Sequence, residues 1–152
     1  MVVQLLKRLL SPKKKSLRKV LIVDPEDSLR ELLTVYLESM DCEVQTLSSP
    51  VEAVRLLESG EQFRLTVISL VTQTGTALPF VKKLREIKQA KKLPAILIGD
   101  KVPHATLNGI SEQVERLEVM TKPIKMKLFR ELVEEALRTG FSSGKVSEHS
   151  PR

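Results

Sequence analysis

Lys19-Val20-Leu21-Ile22-Val23-Asp24-Pro25-Glu26-Asp27-Ser28-Leu29-Arg30-Glu31-Leu32-Leu33 is the stretch whose reading decides the fold. Val20 to Val23 is a short apolar run that ends on an acid. A run this short reads as a strand buried on both faces, as in parallel sheets. Asp27 or Ser28 can cap the helix that follows, because a short oxygen-bearing side chain accepts from the free N–H groups of a first turn. Leu29, Leu32, Leu33, Tyr36 and Leu37 then recur at helical spacing and give that helix one apolar face.

The same strand–helix unit recurs along the chain. Residues 42–47 alternate and read as a strand with one wetter face, near a sheet edge. Ser48-Ser49-Pro50 opens a second helix, with Pro50 in its first turn, Val51, Val54 and Leu57 along it, and Ser59-Gly60 at its end. Residues 65–70 form a buried strand and residues 72–76 a loop. Phe80, Val81, Leu84, Ile87 and Lys88 mark a third helix with a basic outer face. Residues 94–99 are a fourth strand. Pro103, Asn108 and Gly109 weaken any helix over 100–115. Residues 117–120 are a fifth strand, before Thr121-Lys122-Pro123. Leu128, Phe129, Leu132, Val133, Ala136 and Leu137 face a last helix that Gly140 closes. Helical crossovers require parallel strands, so the expectation is an α/β protein with an open five-stranded parallel sheet between two helical layers. Such sheets bind ligands beyond the carboxyl ends of their strands. The residues placed there are Asp24, Pro25, Glu26, Ser69, Gly99, Asp100 and Lys122.

Composition narrows the function classes. A chain of 152 residues, 41% hydrophobic, is one ordinary domain. Four Phe, one Tyr and no Trp leave an aliphatic core and argue against base-stacking surfaces. The lone Cys42 excludes a disulfide framework and a multi-cysteine metal cluster, and His104 and His149 are far apart. The net charge of +6 sits at one end. Lys7, Arg8, Lys13, Lys14, Lys15, Arg18 and Lys19 fall within residues 1–19 without an acid, while the rest carries 18 basic and 19 acidic side chains. A nucleic-acid surface over the whole domain is therefore poorly supported. No apolar run approaches the roughly 20 residues of a membrane span, and charge interrupts the start too early for a signal peptide. The expected organisation is a basic leader over 1–18 (a short amphipathic helix carrying Leu5, Leu6, Leu9 and Leu10, then a linker), a body over 19–139 and a disordered tail over 140–152. The expected location is cytoplasmic.

The run from Val20 through Asp24-Pro25-Glu26 to Arg30 and Leu33 resembles the opening of response-regulator receiver domains, V-L-I-V-D-D-E-x-x-x-R-x-x-L. Thr121-Lys122-Pro123-Ile124 is similar to the family's T-K-P-[FI], and the resemblance covers roughly 19–139. It implies a flavodoxin-like (βα)5 fold with strand order 2-1-3-4-5. It also implies phosphoryl transfer from a histidine kinase to an aspartate ending the third strand, beside Mg²⁺. A hydroxyl after the fourth strand and a lysine after the fifth would contact the phosphoryl group. A cis Lys122-Pro123 bond is common in the family.

The match fails at most of those positions. Pro25 stands at the second acid of the pair, Ser69 at the phosphate-accepting aspartate, Gly99 at the hydroxyl residue and Val119 at a common aromatic position. Asp24 and Lys122 remain, with Glu26 as a neighbouring acid. Mg²⁺ needs carboxylate oxygens, and a serine cannot accept a phosphoryl group without an activating base. The expectation is a degenerate receiver with no cofactor, no catalysis, Mg²⁺ binding lost, and an Asp24–Lys122 ion pair left from the ancestral pocket. Such a module works by phosphorylation-independent binding to a protein, such as a histidine kinase or an output protein. The candidate face lies over 106–115 and 125–138, with Lys125, Lys127, Arg130, Glu134 and Arg138 on its outer side, a pattern any solvated face also shows. Two alternatives stand beside it: an active response regulator using an atypical acceptor such as Ser69 or Asp24, and an adaptor held on an anionic membrane or nucleic acid by residues 1–19. No small-molecule substrate is expected, since the chain has no Gly-rich phosphate loop and no G-x-S-x-G.

Overall fold

The computed structural model describes residues 18–69, 79–99 and 115–141, and the backbone alone of 71–72, 75–76, 78 and 147–149. Five strands run in parallel: β1 (Lys19–Val23), β2 (Glu43–Leu47), β3 (Leu65–Ser69), β4 (Ala95–Gly99) and β5 (Leu117–Thr121). Helix α1 (Asp27–Ser39) links β1 to β2, and α2 (Pro50–Glu58) links β2 to β3. Helix α3 (Leu78–Leu84) follows β3, and α4 (Met126–Thr139) follows β5. The sheet order is 2-1-3-4-5, the flavodoxin-like arrangement.

Alternation along the strands builds two cores. Leu21, Val23, Ile68, Leu97 and Val119 point to one face and pack with Ala53 and Leu57 of α2 and Phe80, Val81 and Leu84 of α3. Val20, Ile22, Val67, Ile96, Ile98 and Met120 point to the other, against Leu33 and Leu37 of α1 and Phe129, Leu132, Val133 and Ala136 of α4. Strands buried on both faces have no polar period to show, which is why β1, β3 and β4 read as continuous apolar runs. Among the described residues β2 pairs only with β1, and it keeps a mixed pattern, as an edge strand does.

Local differences from the sequence reading have physical reasons. Neither Asp27 nor Ser28 caps α1: the cap position is Glu26, which makes no side-chain cap bond. Ser49 does cap α2, accepting from Glu52 N–H at 3.4 Å, with Pro50 in the first turn. Helix α3 stops at Leu84, a turn short of the expected face, and Ile87 enters the core from the extended residue before a 3-10 turn over Lys88–Ala90. A short antiparallel ribbon pairs Val71–Thr72 with Gly75–Thr76 in the expected loop.

The tail departs most. Gly140 takes the left-handed conformation (φ 64°) that closes α4. Phe141, placed in a disordered tail by composition, is buried in the α1/α4 core. Ser147–His149 forms a sixth strand, β6, parallel to β5. Backbone groups along the outer edge of β5 supply the bonding that this polar segment's composition does not announce. The leader over 1–17 and residues 100–114 lie outside the described residues.

Candidate functional site

The carboxyl ends of β1, β3, β4 and β5 bring the sequence-derived set to one end of the sheet. Asp24 follows β1, Ser69 ends β3, Gly99 ends β4 and Lys122 follows β5. The register holds them there: Ser69 lies opposite Ile98, and Gly99 opposite Thr121. Lys122 N–H donates to the Gly99 carbonyl at 2.7 Å and Asp24 N–H to the Leu47 carbonyl at 3.1 Å, so each strand end is tied to its neighbour.

Asp24 is 4% exposed. Its carboxylate accepts from Glu26 N–H at 2.7 Å, bridging two residues of its own turn. Arg30, one turn into α1, donates one guanidinium nitrogen to the Asp24 carbonyl and pairs the other with Asp27. The expected Asp24–Lys122 ion pair is not formed, and Lys122 makes no ion pair among the described residues. Two facts account for that. The carboxylate already has a local N–H donor, and Lys122 is only half-buried, which lowers the cost of an ammonium without a carboxylate partner. Glu26 is exposed and accepts from the Ser28 hydroxyl at 2.9 Å.

Ser69 is 8% exposed and Gly99 is buried. Pro25 is half-buried and brings no oxygen beyond its own carbonyl. The Lys122-Pro123 peptide is cis, as the family resemblance implied. Asp100 lies outside the described residues. Among the described residues no group of three or more His, Cys, Asp or Glu side chains gathers. One buried carboxylate, already bonded to its own backbone, is a poor match to an octahedral Mg²⁺ that prefers carboxylate and phosphate oxygens. The donor set of the described residues does not fit that ion.

Lys125, at the N-terminal cap of α4, and Lys127, Arg130, Glu134 and Arg138 along it are all exposed. Glu134 is held by the Arg18 guanidinium at 3.0 Å, and Arg18 also donates to the Met40 carbonyl at 3.1 Å. Burial works against the Arg18 charge, but Glu134 and Cys42 together outweigh it and hold that guanidinium above its ordinary range. Of the second element of the expected face, residues 106–114 lie outside the described residues.

Two arginines escaped the sequence reading. Arg30 shapes the turn after β1, and its spacing three residues after Asp27 was the available signal. Arg85 donates to the carbonyls of Ala90 (3.0 Å), Leu93 (2.8 Å) and Glu115 (2.6 Å), tying the end of α3 to the start of β5. Burial, with Arg116 nearby, brings its pKa down to about 10. Nothing in sequence spacing signals an arginine whose partners are all carbonyls. Among the described residues no helix is long and apolar enough to cross a membrane.

No protein-family model matches the chain. It is similar to the two-component response regulator-like protein APRR3 of Arabidopsis thaliana, 26% identical over 130 residues, which are 82% of this chain and 25% of that protein. It is similar to the response regulator protein PilR of Pseudomonas aeruginosa, 29% identical over 125 residues, 81% of this chain and 27% of the relative. The chain thus spans about a quarter of the length of the curated relatives it matches. Among solved structures, a CheY-like response regulator receiver domain protein from Methanospirillum hungatei superimposes with a TM-score of 0.74 at 18% identity, covering 85% of this chain and all of that one. The fold is therefore CheY-like, and the similarity to the two response-regulator proteins extends over about four-fifths of this chain.

Proposed function

We propose that this domain is a receiver-like signalling module that works by binding a protein partner, without catalysis and without phosphorylation at the strand-end pocket. The observation that carries the reading is the pocket's composition. At the ends of β1 and β3 the chain offers Pro25 and a buried Ser69, and the buried carboxylate described at those ends, Asp24, is bonded to its own turn. Aspartyl phosphorylation needs an acceptor carboxylate and a cation to screen the incoming charge, and neither requirement is met by these side chains. No resident Mg²⁺ or other cofactor is part of the reading. The outer side of α4, with Lys125, Lys127, Arg130 and Arg138 exposed, is the surface offered to a kinase or output protein.

The test has two arms. Purified protein is incubated with Mg²⁺ and either acetyl phosphate or a phosphohistidine donor, and intact mass and tryptic peptides are read for an added phosphoryl group. No adduct on Asp24, Ser69 or any neighbour is expected; stoichiometric labelling there overturns the reading in favour of an active regulator with an atypical acceptor. In the second arm, proteins that copurify with the full chain are challenged with the K125E/K127E/R130E variant. Loss of binding supports the α4 surface, and retained binding removes it.

A further inference from the structure

The large hydrophobic side chains exposed among the described residues, Leu32 (54%), Val35 (68%) and Val51 (61%), lie on the two helices that flank edge strand β2. Leu32 and Val35 form one ridge of α1. On a helix, neighbours of Val35 stand three and four positions away, so Glu31 and Glu38 flank it. A groove of about 530 Å³ runs between the Val35 side of this ridge and β2, lined by Glu31, Thr34, Val35, Val44 and Thr46 together with the paired Asp27 and Arg30. At the foot of the ridge stand Asp41 and Glu43. Glu31, Glu38, Asp41 and Glu43 are exposed and have no ion pair among the described residues, whereas the nearby cations Arg18 and Arg30 are already paired with Glu134 and Asp27. The α1/β2 corner is therefore an apolar ridge in an acidic frame.

The chain itself carries a complementary segment. Residues 1–17 hold Lys7, Arg8, Lys13, Lys14 and Lys15, no acid, and Leu5, Leu6, Leu9 and Leu10 at helical spacing. They join the fold at this same corner. The Arg18 carbonyl accepts from Glu43 N–H at 3.0 Å, and its guanidinium caps the Met40 carbonyl beyond α1. Helix α1, 13 residues long, measures about 20 Å. Seventeen residues span more than twice that when extended. Tethering also makes docking intramolecular, at an effective concentration of roughly millimolar for a short linker. We infer that residues 1–17 dock on the α1/β2 groove of their own chain, with leucines on Leu32 and Val35 and the lysines toward Glu31, Glu38, Asp41 and Glu43. This docking is independent of the pocket chemistry proposed above.

Amide hydrogen exchange of the full chain, read by mass spectrometry at low ionic strength, tests it. Peptides within residues 1–17 should exchange roughly tenfold or more slowly than an unstructured chain. The protection should vanish in E31K/E38K and in K13E/K14E/K15E, and return when the two sets are combined. Both sets change exposed or leader positions, and unchanged circular dichroism verifies the fold. Intrinsic exchange rates in the wild-type leader overturn the inference, as does protection that ignores both variants. Protection that grows with protein concentration assigns the groove to a second copy's leader and overturns the intramolecular form.

Discussion

Restoring the missing carboxylates should restore a cation site, and the cost and the rescue can be sized from the structure. The perturbation is the double substitution Pro25→Asp/Ser69→Asp, which adds two acids to Asp24 at the adjacent ends of β1 and β3. Position 69 is 8% exposed, so a carboxylate there loses most of its hydration and meets Asp24 as a like charge. An uncompensated buried charge costs about 3 kcal/mol. For a domain of this size each kcal/mol moves Tm by roughly 3–5 °C, so the metal-free variant should melt roughly 10 °C below wild type. A ligand at 100 times its dissociation constant returns about 2.7 kcal/mol, so saturating Mg²⁺ should recover most of the loss. The assay is thermal unfolding by circular dichroism across a Mg²⁺ titration at constant ionic strength. Wild type should show no Mg²⁺ dependence. A wild-type Tm that climbs with Mg²⁺ over the same range, or a variant indifferent to Mg²⁺, refutes the argument that lost carboxylates are what closed the site.

Three further tests address the frame that holds the pocket. Arg85→Met strips donors from three backbone carbonyls and should cost about 2–3 kcal/mol after the guanidinium's own desolvation is credited, with Arg85→Lys in between; urea unfolding measures it. Because the folded pKa of Arg85 falls to about 10 from 12.5, the unfolded chain holds that proton longer, and the stability of wild type relative to Arg85→Met should rise as pH climbs through that window. Burial pushes the Cys42 thiol up, only partly offset by Arg18, so the fold should lose this contribution as pH rises past the thiol's ordinary range, and alkylation should track global unfolding; fast labelling of the native protein would contradict the burial. Gly140→Ala forces a side chain into the left-handed cap with its Cβ 3.1 Å from an Arg116 guanidinium nitrogen, and should cost about 1–2 kcal/mol by the same urea assay.

Much of the fold was legible because its signals are local. The apolar runs at 20–23, 65–68 and 95–98 are long enough to be strands and too short to be helices. Spacing gives the face of α4, where Phe129, Leu132, Val133 and Ala136 are all buried, but it overreaches at the margins of the other faces: Leu32 of α1 and Val51 of α2, expected on apolar faces, are exposed. What escaped depends on partners distant in sequence or on backbone groups that no side chain advertises. Phe141 reads as tail by composition, yet it sits in a core built mainly by α1 and α4. β6 is a polar Ser-Glu-His segment that joins the sheet through main-chain bonds. The end of α3 is governed by Arg85 reaching carbonyls up to 30 residues away.

The pocket shows the same limit in a sharper form. Strand ends placed Asp24, Ser69, Gly99 and Lys122 together, and topology alone was enough for that. The expected pairing of Asp24 with Lys122 rests on the premise that a partly buried ammonium must find an anion. The premise omits the access to water that a half-buried lysine keeps, and on the side of the acid it omits the backbone. A carboxylate can be satisfied by an N–H two residues on, and Asp24 is. Its carbonyl is meanwhile taken by Arg30, whose other nitrogen holds Asp27 at the start of α1. Glu26 provides no side-chain cap there, so these bonds are what order the turn between β1 and α1. An acid at position 24 therefore has a structural task of its own in the turn between β1 and α1, and Lys122 takes no part in it.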